Sequence, residues 1–264
     1  MTVVLGFDTA THATVVGLRL EDGSTLQRRD DPPPEGHPGH ATRLLPMAAE
    51  LLAQGELRWG DVGRIAVGVG PGRFTGLRVG IATGRGLAQS LDAELAAVST
   101  PRALALGAAR RAGADADGHG TIAVIDARRG EAFAAAYPAG GGEVAFANAL
   151  GAGELERIVA EIEQRGAAAG VSWQAVGDGA LRFAEQLRAA GVAVAPADSP
   201  LHLLDAAALC ELGARAEPVA ALEWVLPDYR RAPDAALARG AQRAIAPSSE
   251  PAPQREDVVR GAAS

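Results

Sequence analysis

Two aspartates stand at the ends of short apolar runs. Asp8 closes VVLGFD and Asp126 closes TIAVID. Facing each other across a cleft, two such acids could organise Mg²⁺ and a nucleotide through waters. Each could equally cap a local turn, as aspartate commonly does. Thr9 continues the first turn, and Gly177, Asp178 and Gly179 make a strand-to-helix turn that could cradle a nucleoside or only reverse the chain. These six residues are the candidate nucleotide-binding set. No catalytic residue is assigned.

The densest signal is GVGPGRFTGLRVGIATGRGLA, Gly68 to Ala88. A strand runs through a glycine-rich turn into a helix, a geometry that offers N–H groups and a positive helix end to an anion. Thr75 and Gly76 lie near the helix start, with Arg73 and Arg78 beside them; an unliganded tight turn explains the same composition. Within the helix, Gly76, Gly80 and Gly84 recur every four residues on one face. Each interior glycine costs about 0.5–1 kcal/mol relative to alanine, so close approach of another backbone should offset it. Spacing alone leaves open whether that neighbour is internal or another chain.

Other chemistries are poorly served. His37 and His40 lie three apart in a proline-rich loop, a weak metal signal, so no metal site is expected. There is no GxSxG elbow, and the single cysteine, Cys210, sits in an apolar stretch without a nearby histidine. All 25 basic residues are arginine, which excludes P-loop, Schiff-base and kinase-type lysines. With 32 acids the net charge is −7, unsuited to gripping nucleic acid alone. Apolar residues at 48% can fill a core, while apolar runs fall short of the ~18 residues of a membrane span. MTVVLGFDTA reads as a first strand rather than a signal peptide, and one cysteine suits the cytoplasm.

The chain must fold to bring these residues together. The first ~110 residues read β-β-β-α-β-α-β-α. Strands are expected near 3–7, 13–20, 24–29, 65–69 and 95–98, with helices near 44–52, from 77 to 91, and after Thr100-Pro101 as cap and first residue. Pro46 is expected in a first helical turn. A similar pattern restarts, with strands at 122–126, 131–137 and 144–147, the last pair joined through Gly140–Gly142. Helix 154–165, strand 173–176, helix 180–190, strand 192–195 and helix 203–216 follow. Two mixed-sheet α/β halves result, 1–110 and 111–230, then an extension, 231–264, expected to be disordered from about 247.

The opening LGFDTAT, HATRLLPMAAELL, the glycine block, IDARRGEAFAAAY and the late PDYRR together resemble the TsaB (YeaZ) family over about residues 1–231. The resemblance implies an actin/heat-shock-chaperone ATPase-like fold of two ribonuclease H-like halves. It implies a non-catalytic paralogue of TsaD that activates threonylcarbamoyl transfer to N6 of the adenosine beside the tRNA anticodon. Partners would be a TsaD-like protein and a TsaE-like P-loop ATPase, with tRNA reached through the complex, a homodimer formed alone, and ATP or ADP at or near the partner interface. That interface would use Leu44, Leu45, Ala48 and Leu52 on one helix. On the next it would use Phe74, Thr75, Gly76 and Val79, then Gly80, Thr83, Gly84 and Leu87. Two departures stand out: Asp8-Thr9-Ala10-Thr11 lacks the glycine of a phosphate loop in this fold, and Arg73 replaces a small residue. An active ATPase or kinase of the same fold is the alternative; a metallopeptidase has no ligands here.

Overall fold

A computed structural model describes residues 2–33, 35–113, 119–138, 145–146 and 150–230. The expected Gly140–Gly142 turn, both end residues of strand 144–147 and the extension 231–264 lie outside the described residues.

The first sheet forms from β1 (Val3–Asp8), β2 (Thr14–Arg19), β3 (Thr25–Asp30), β4 (Val62–Gly70) and β5 (Glu94–Ser99), in the order β3-β2-β1-β4-β5. β1–β2–β3 are antiparallel, and β4 and β5 run parallel to β1. Its helices are α1 (His40–Gln54), α2 (Phe74–Leu91) and α3 (Thr100–Ala112). The second sheet repeats the plan with β6 (His119–Arg128), β7 (Glu131–Tyr137), β8 (Ala145–Phe146), β9 (Leu150–Gly151), β10 (Ser172–Val176) and β11 (Ala193–Val194). Its order is β11-β10-β6-β7-β8, with β9 also pairing β7. Here too an antiparallel meander starts the sheet and parallel strands extend it. Two ribonuclease H-like halves are therefore present, as the resemblance implies. Among the described residues no helix is long and apolar enough to cross a membrane.

Strand alternation partitions the core into three layers. In β6, Ile122 and Val124 face α4 (Ala152–Ala168) with Leu155 and Val159, while Ala123 and Ile125 face a core shared by both halves. That shared core holds Leu104 of α3, Val4 and Val15 of the first sheet, and Leu209 of α7 (Ala206–Arg215). A third layer packs Leu44, Met47 and Leu51 of α1 and Ile81 of α2 onto Leu5, Phe7 and Ile65. Residues 1–231 form one compact unit rather than two.

The structure corrects several expectations. α7 was assigned to the second half, 111–230, yet it lies on the first sheet. Bare Cα atoms permit this: a Cβ on Gly6 would come 2.6 Å from Cys210 Sγ, and one on Gly213 would overlap Ala66 Cβ. α1 begins at His40, so Pro46 lies in its second turn rather than its first, leaving the Thr42 carbonyl without its helical donor. Helix 180–190 is two pieces, α5 (Asp178–Arg182) and α6 (Ala184–Ala189), broken at Phe183. The cap of α3 is Ser99 rather than Thr100, whose hydroxyl is used elsewhere.

Two glycine substitutions test this packing with opposite signs. Gly86, on the exposed side of α2, has nothing within reach of an added Cβ. Gly86→Ala should raise stability by about 0.5–1 kcal/mol. Gly213→Ala should lower it by about 1–3 kcal/mol through overpacking against Ala66. Urea unfolding monitored by circular dichroism separates the two.

Candidate functional site

The two strand-end aspartates have different fates. Asp8 is fully buried. Its Oδ1 accepts the Ala10 N–H at 2.7 Å and its Oδ2 accepts the Thr100 hydroxyl at 2.6 Å. Thr100 Oγ1 in turn accepts the Gly70 N–H at 3.2 Å. Gly68 supplies the space, since a Cβ there would overlap Asp8 Oδ2. Burial raises the Asp8 carboxyl above the ordinary carboxylate range, opposed by its hydrogen bonds and by the charge of Arg29. Thr9 is equally buried, and its hydroxyl donates to the Gly76 carbonyl at 2.7 Å.

The cause is the docking of α2 onto the 9–10 turn. The Arg73 N–H, one of the donors this turn could have offered an anion, donates to the Ala10 carbonyl at 2.7 Å. A Cβ on Gly72 would overlap that carbonyl, one on Gly76 the Thr9 carbonyl, and one on Gly80 the Thr9 hydroxyl. Asp8 and Thr9 therefore belong to a closed internal network and do not fit a nucleotide's phosphates or its metal. Asp8, sealed at the end of β1, offers no free oxygen to pair with Asp126 across a cleft.

The same contacts correct the expected interface. Gly76, Gly80 and Gly84 face their own sheet, the last meeting Val67 and Phe7 at ordinary distance. Leu44, Ala48 and Leu52 are buried in the layer beneath α1. These six are internal because each helix must bury its bare or apolar stripe on the sheet. The outward face keeps Leu45, 43% exposed, and Thr75, with Phe74, Val79 and Thr83 half-buried, while Leu87, also half-buried, packs on the core beneath α2. Sequence reasoning missed what adjoins it. Residues 219–229 strap α2: Arg85 Nη2 donates to the Glu223 and Val225 carbonyls at 2.8 and 2.5 Å. Tyr229 stacks on Phe74 at 5.0 Å and accepts from Arg78 Nε at 2.9 Å. Trp224 and Leu226 stand 67% and 66% exposed on that strap. The PDYRR stretch was the available signal.

The second-half candidates do meet. Asp178 Oδ1 accepts the Asp126 and Gly179 N–H groups at 3.0 and 2.9 Å. Asp126 Oδ1 accepts the Arg128 N–H at 2.9 Å, and its Oδ2 lies 3.2 Å from Arg182 Nη1. Surrounding protein raises the Asp178 carboxyl, and the charge of Asp126 pushes the same way. Gly177, at φ +108°, and Gly179 abut the β6 backbone, so the turn's glycines serve close packing. His202, buried, accepts the Gly177 N–H on Nδ1 at 3.1 Å, which leaves Nε2–H to donate toward the Ala195 and Pro196 carbonyls.

His40 is no loop ligand. As the first residue of α1 it is buried, with Nδ1 2.8 Å from Thr14 Oγ1. Burial, then Arg73 and His12, hold its pKa near 4. Arg73, where a small residue was expected, donates to His12 Nδ1 at 2.6 Å, and His12 Nε2 donates to the Pro33 carbonyl at 3.0 Å. The arginine thus ties α2 to the proline-rich loop. Burial pushes the Cys210 thiol to about 12, so it is inert at neutral pH. Among the described residues no three His, Cys, Asp or Glu side chains converge as a metal site would need.

Two outcomes follow. Gly80→Leu should destabilise the fold by about 1–3 kcal/mol or more, because the new side chain meets Thr9; unchanged unfolding midpoint would contradict internal packing. For His40, the unfolded residue near 6.5 takes up a proton that the folded residue, near 4, refuses. Stability is therefore full above pH 6.5 and falls between pH 6.5 and 4, by up to about 3 kcal/mol. His40→Gln should flatten that part of a stability-against-pH curve.

Known proteins resemble this geometry and sequence. A family model described as TsaD, tRNA N6-adenosine threonylcarbamoyltransferase, matches residues 32–193. The tRNA threonylcarbamoyladenosine biosynthesis protein TsaB of Escherichia coli is 38% identical over 134 residues, covering 51% of this chain and 54% of that protein. TsaB of Haemophilus influenzae is 34% identical over 49% of this chain and 51% of its own length. The chain thus spans about half the length of the curated relatives it matches. YeaZ from Pseudomonas aeruginosa superposes with a TM-score of 0.69 at 33% identity, covering 87% of this chain and 100% of that one. A family model matching more than half the chain, and a solved YeaZ matched along its whole length, place this protein in the TsaB/YeaZ family.

Proposed function

We propose that the chain is a non-catalytic subunit in threonylcarbamoyladenosine formation on tRNA, acting by pairing with a TsaD-like protein. The observation that carries this reading is the closed Asp8–Thr9 network. In this fold a strand-end acid and the following turn would handle phosphate and metal, and here both side chains are sealed by α2 and Thr100. Activity then has to reside in the partner. The reaction and the partner class come from the names of the relatives, TsaB among them, and from the TsaD family model. A TsaE-like ATPase would join the pair, and tRNA would be held by the complex, in keeping with the net charge of −7. The cytoplasm is the compartment such a role requires.

The pairing surface in this reading is the outward side of α1 and α2, which carries the exposed Leu45 and the half-buried Val79 and Thr83. A second copy could occupy the same face when the chain is alone. Mixing the chain with the TsaD-like protein of its own source, and weighing the eluted peak by light scattering, should give a one-to-one species. Leu45→Arg combined with Thr83→Arg should weaken it at least about tenfold, with the unfolding midpoint nearly unchanged. Separate peaks for the unaltered proteins would defeat the reading.

A further inference from the structure

A cavity of about 220 Å³ opens between the two halves, with Thr100, which seals Asp8, in its wall. Its aliphatic floor comes from Leu104, Ile125, Leu203 and Leu204. Charged groups enter from opposite halves: Arg29 from β3, and Asp178 from the start of α5. Asp178 is the least committed. Its Oδ1 already accepts two backbone N–H groups, whereas its Oδ2 accepts none among the described residues, and the side chain is reached by solvent. Arg29 spends Nε on Asp31 and one Nη1 hydrogen on the Leu204 carbonyl at 3.2 Å. A guanidinium has five N–H groups, so donors remain.

An acid with a spare oxygen and a base with spare hydrogens, across an aliphatic floor, complement a small molecule carrying both charges and an aliphatic body. The cavity is smaller than the ~300 Å³ at which sites for drug-sized ligands begin. No Phe, Tyr or Trp ring lines it, and its two imidazoles are already tied to the protein, His12 to Arg73 and the Pro33 carbonyl and His202 to the Gly177 and Ala195 backbone. We propose that this interlobe cavity binds an aliphatic α-amino acid, its ammonium on Asp178 Oδ2 and its carboxylate toward Arg29. The site is independent of the proposed pairing with a TsaD-like protein, so either idea can fail alone.

The test is a titration of the isolated full chain with L-valine, read by methyl NMR at Ile125, Leu104 and Leu204. Saturable shifts at these methyls, with affinity in the millimolar range or tighter, are expected. Isobutylamine and isobutyrate, each carrying one of the two charges, should bind at least about tenfold more weakly. Asp178→Asn keeps the Oδ1 acceptor and should lose about tenfold in affinity. Leu181→Trp, at a lining position already 39% exposed, should fill the cavity and abolish binding without unfolding. The proposal is overturned by valine leaving these methyls unmoved, by equal response of Asp178→Asn, or by isobutanol binding as well as valine.

Discussion

Everything in the first half is arranged around one close approach: the start of α2 against the turn that follows β1. A helix can lie that near a peptide only where it has no side chains, and Gly72, Gly76 and Gly80 provide that stripe. The approach lets Thr9 donate to the Gly76 carbonyl and Ala10 accept from Arg73. Behind it, Gly68 makes room for Asp8 to bond Thr100, which joins the β1 end to β4 and the start of α3. The desolvation that would make a lone buried aspartate expensive is offset by two short hydrogen bonds. The conformational cost of the helix glycines is offset by the packing they permit.

That constraint has consequences on both surfaces of α2. Inward, the turn that could have held phosphate is filled by protein. Outward, the helix presents Val79 and Thr83 and is strapped by residues 219–229, with Tyr229 stacked on Phe74. The half-to-half relation has a similar logic. The two sheets share one core through α3 and α7, so the halves repeat a topology without being independent bodies. In the second half Asp178, in the next turn, stays exposed, while Asp126 at the strand end is largely covered and pairs with Arg128 and Arg182.

Much of the fold was legible because period and punctuation agree. Alternation in β1–β3, the apolar run at 65–69 and the glycine–proline turn after it place the first half element by element. The same features could not tell which surface a stripe faces. Gly76, Gly80 and Gly84 signal close approach from spacing alone, but an internal turn and a partner helix ask for the same residues, and only the coordinates put Thr9 there. Likewise a strand-end aspartate has one appearance in sequence whether it caps, coordinates or is buried; Thr100, 92 positions away in the chain, decides for Asp8. α7 was misassigned because its docking on the first sheet depends on Gly6, Gly17 and Gly213, a match between distant segments that no local pattern carries.

The central claim is that the Asp8–Thr9 network closes the end of β1 to phosphate and metal. It is tested most directly by titrating the isolated chain with Mg-ATP in a calorimeter. The account predicts no saturable heat at millimolar nucleotide, and no difference between the natural chain and Asp8→Asn. Tight Mg-ATP binding that Asp8→Asn abolishes would contradict it, because the carboxylate would then be reaching a ligand rather than Thr100.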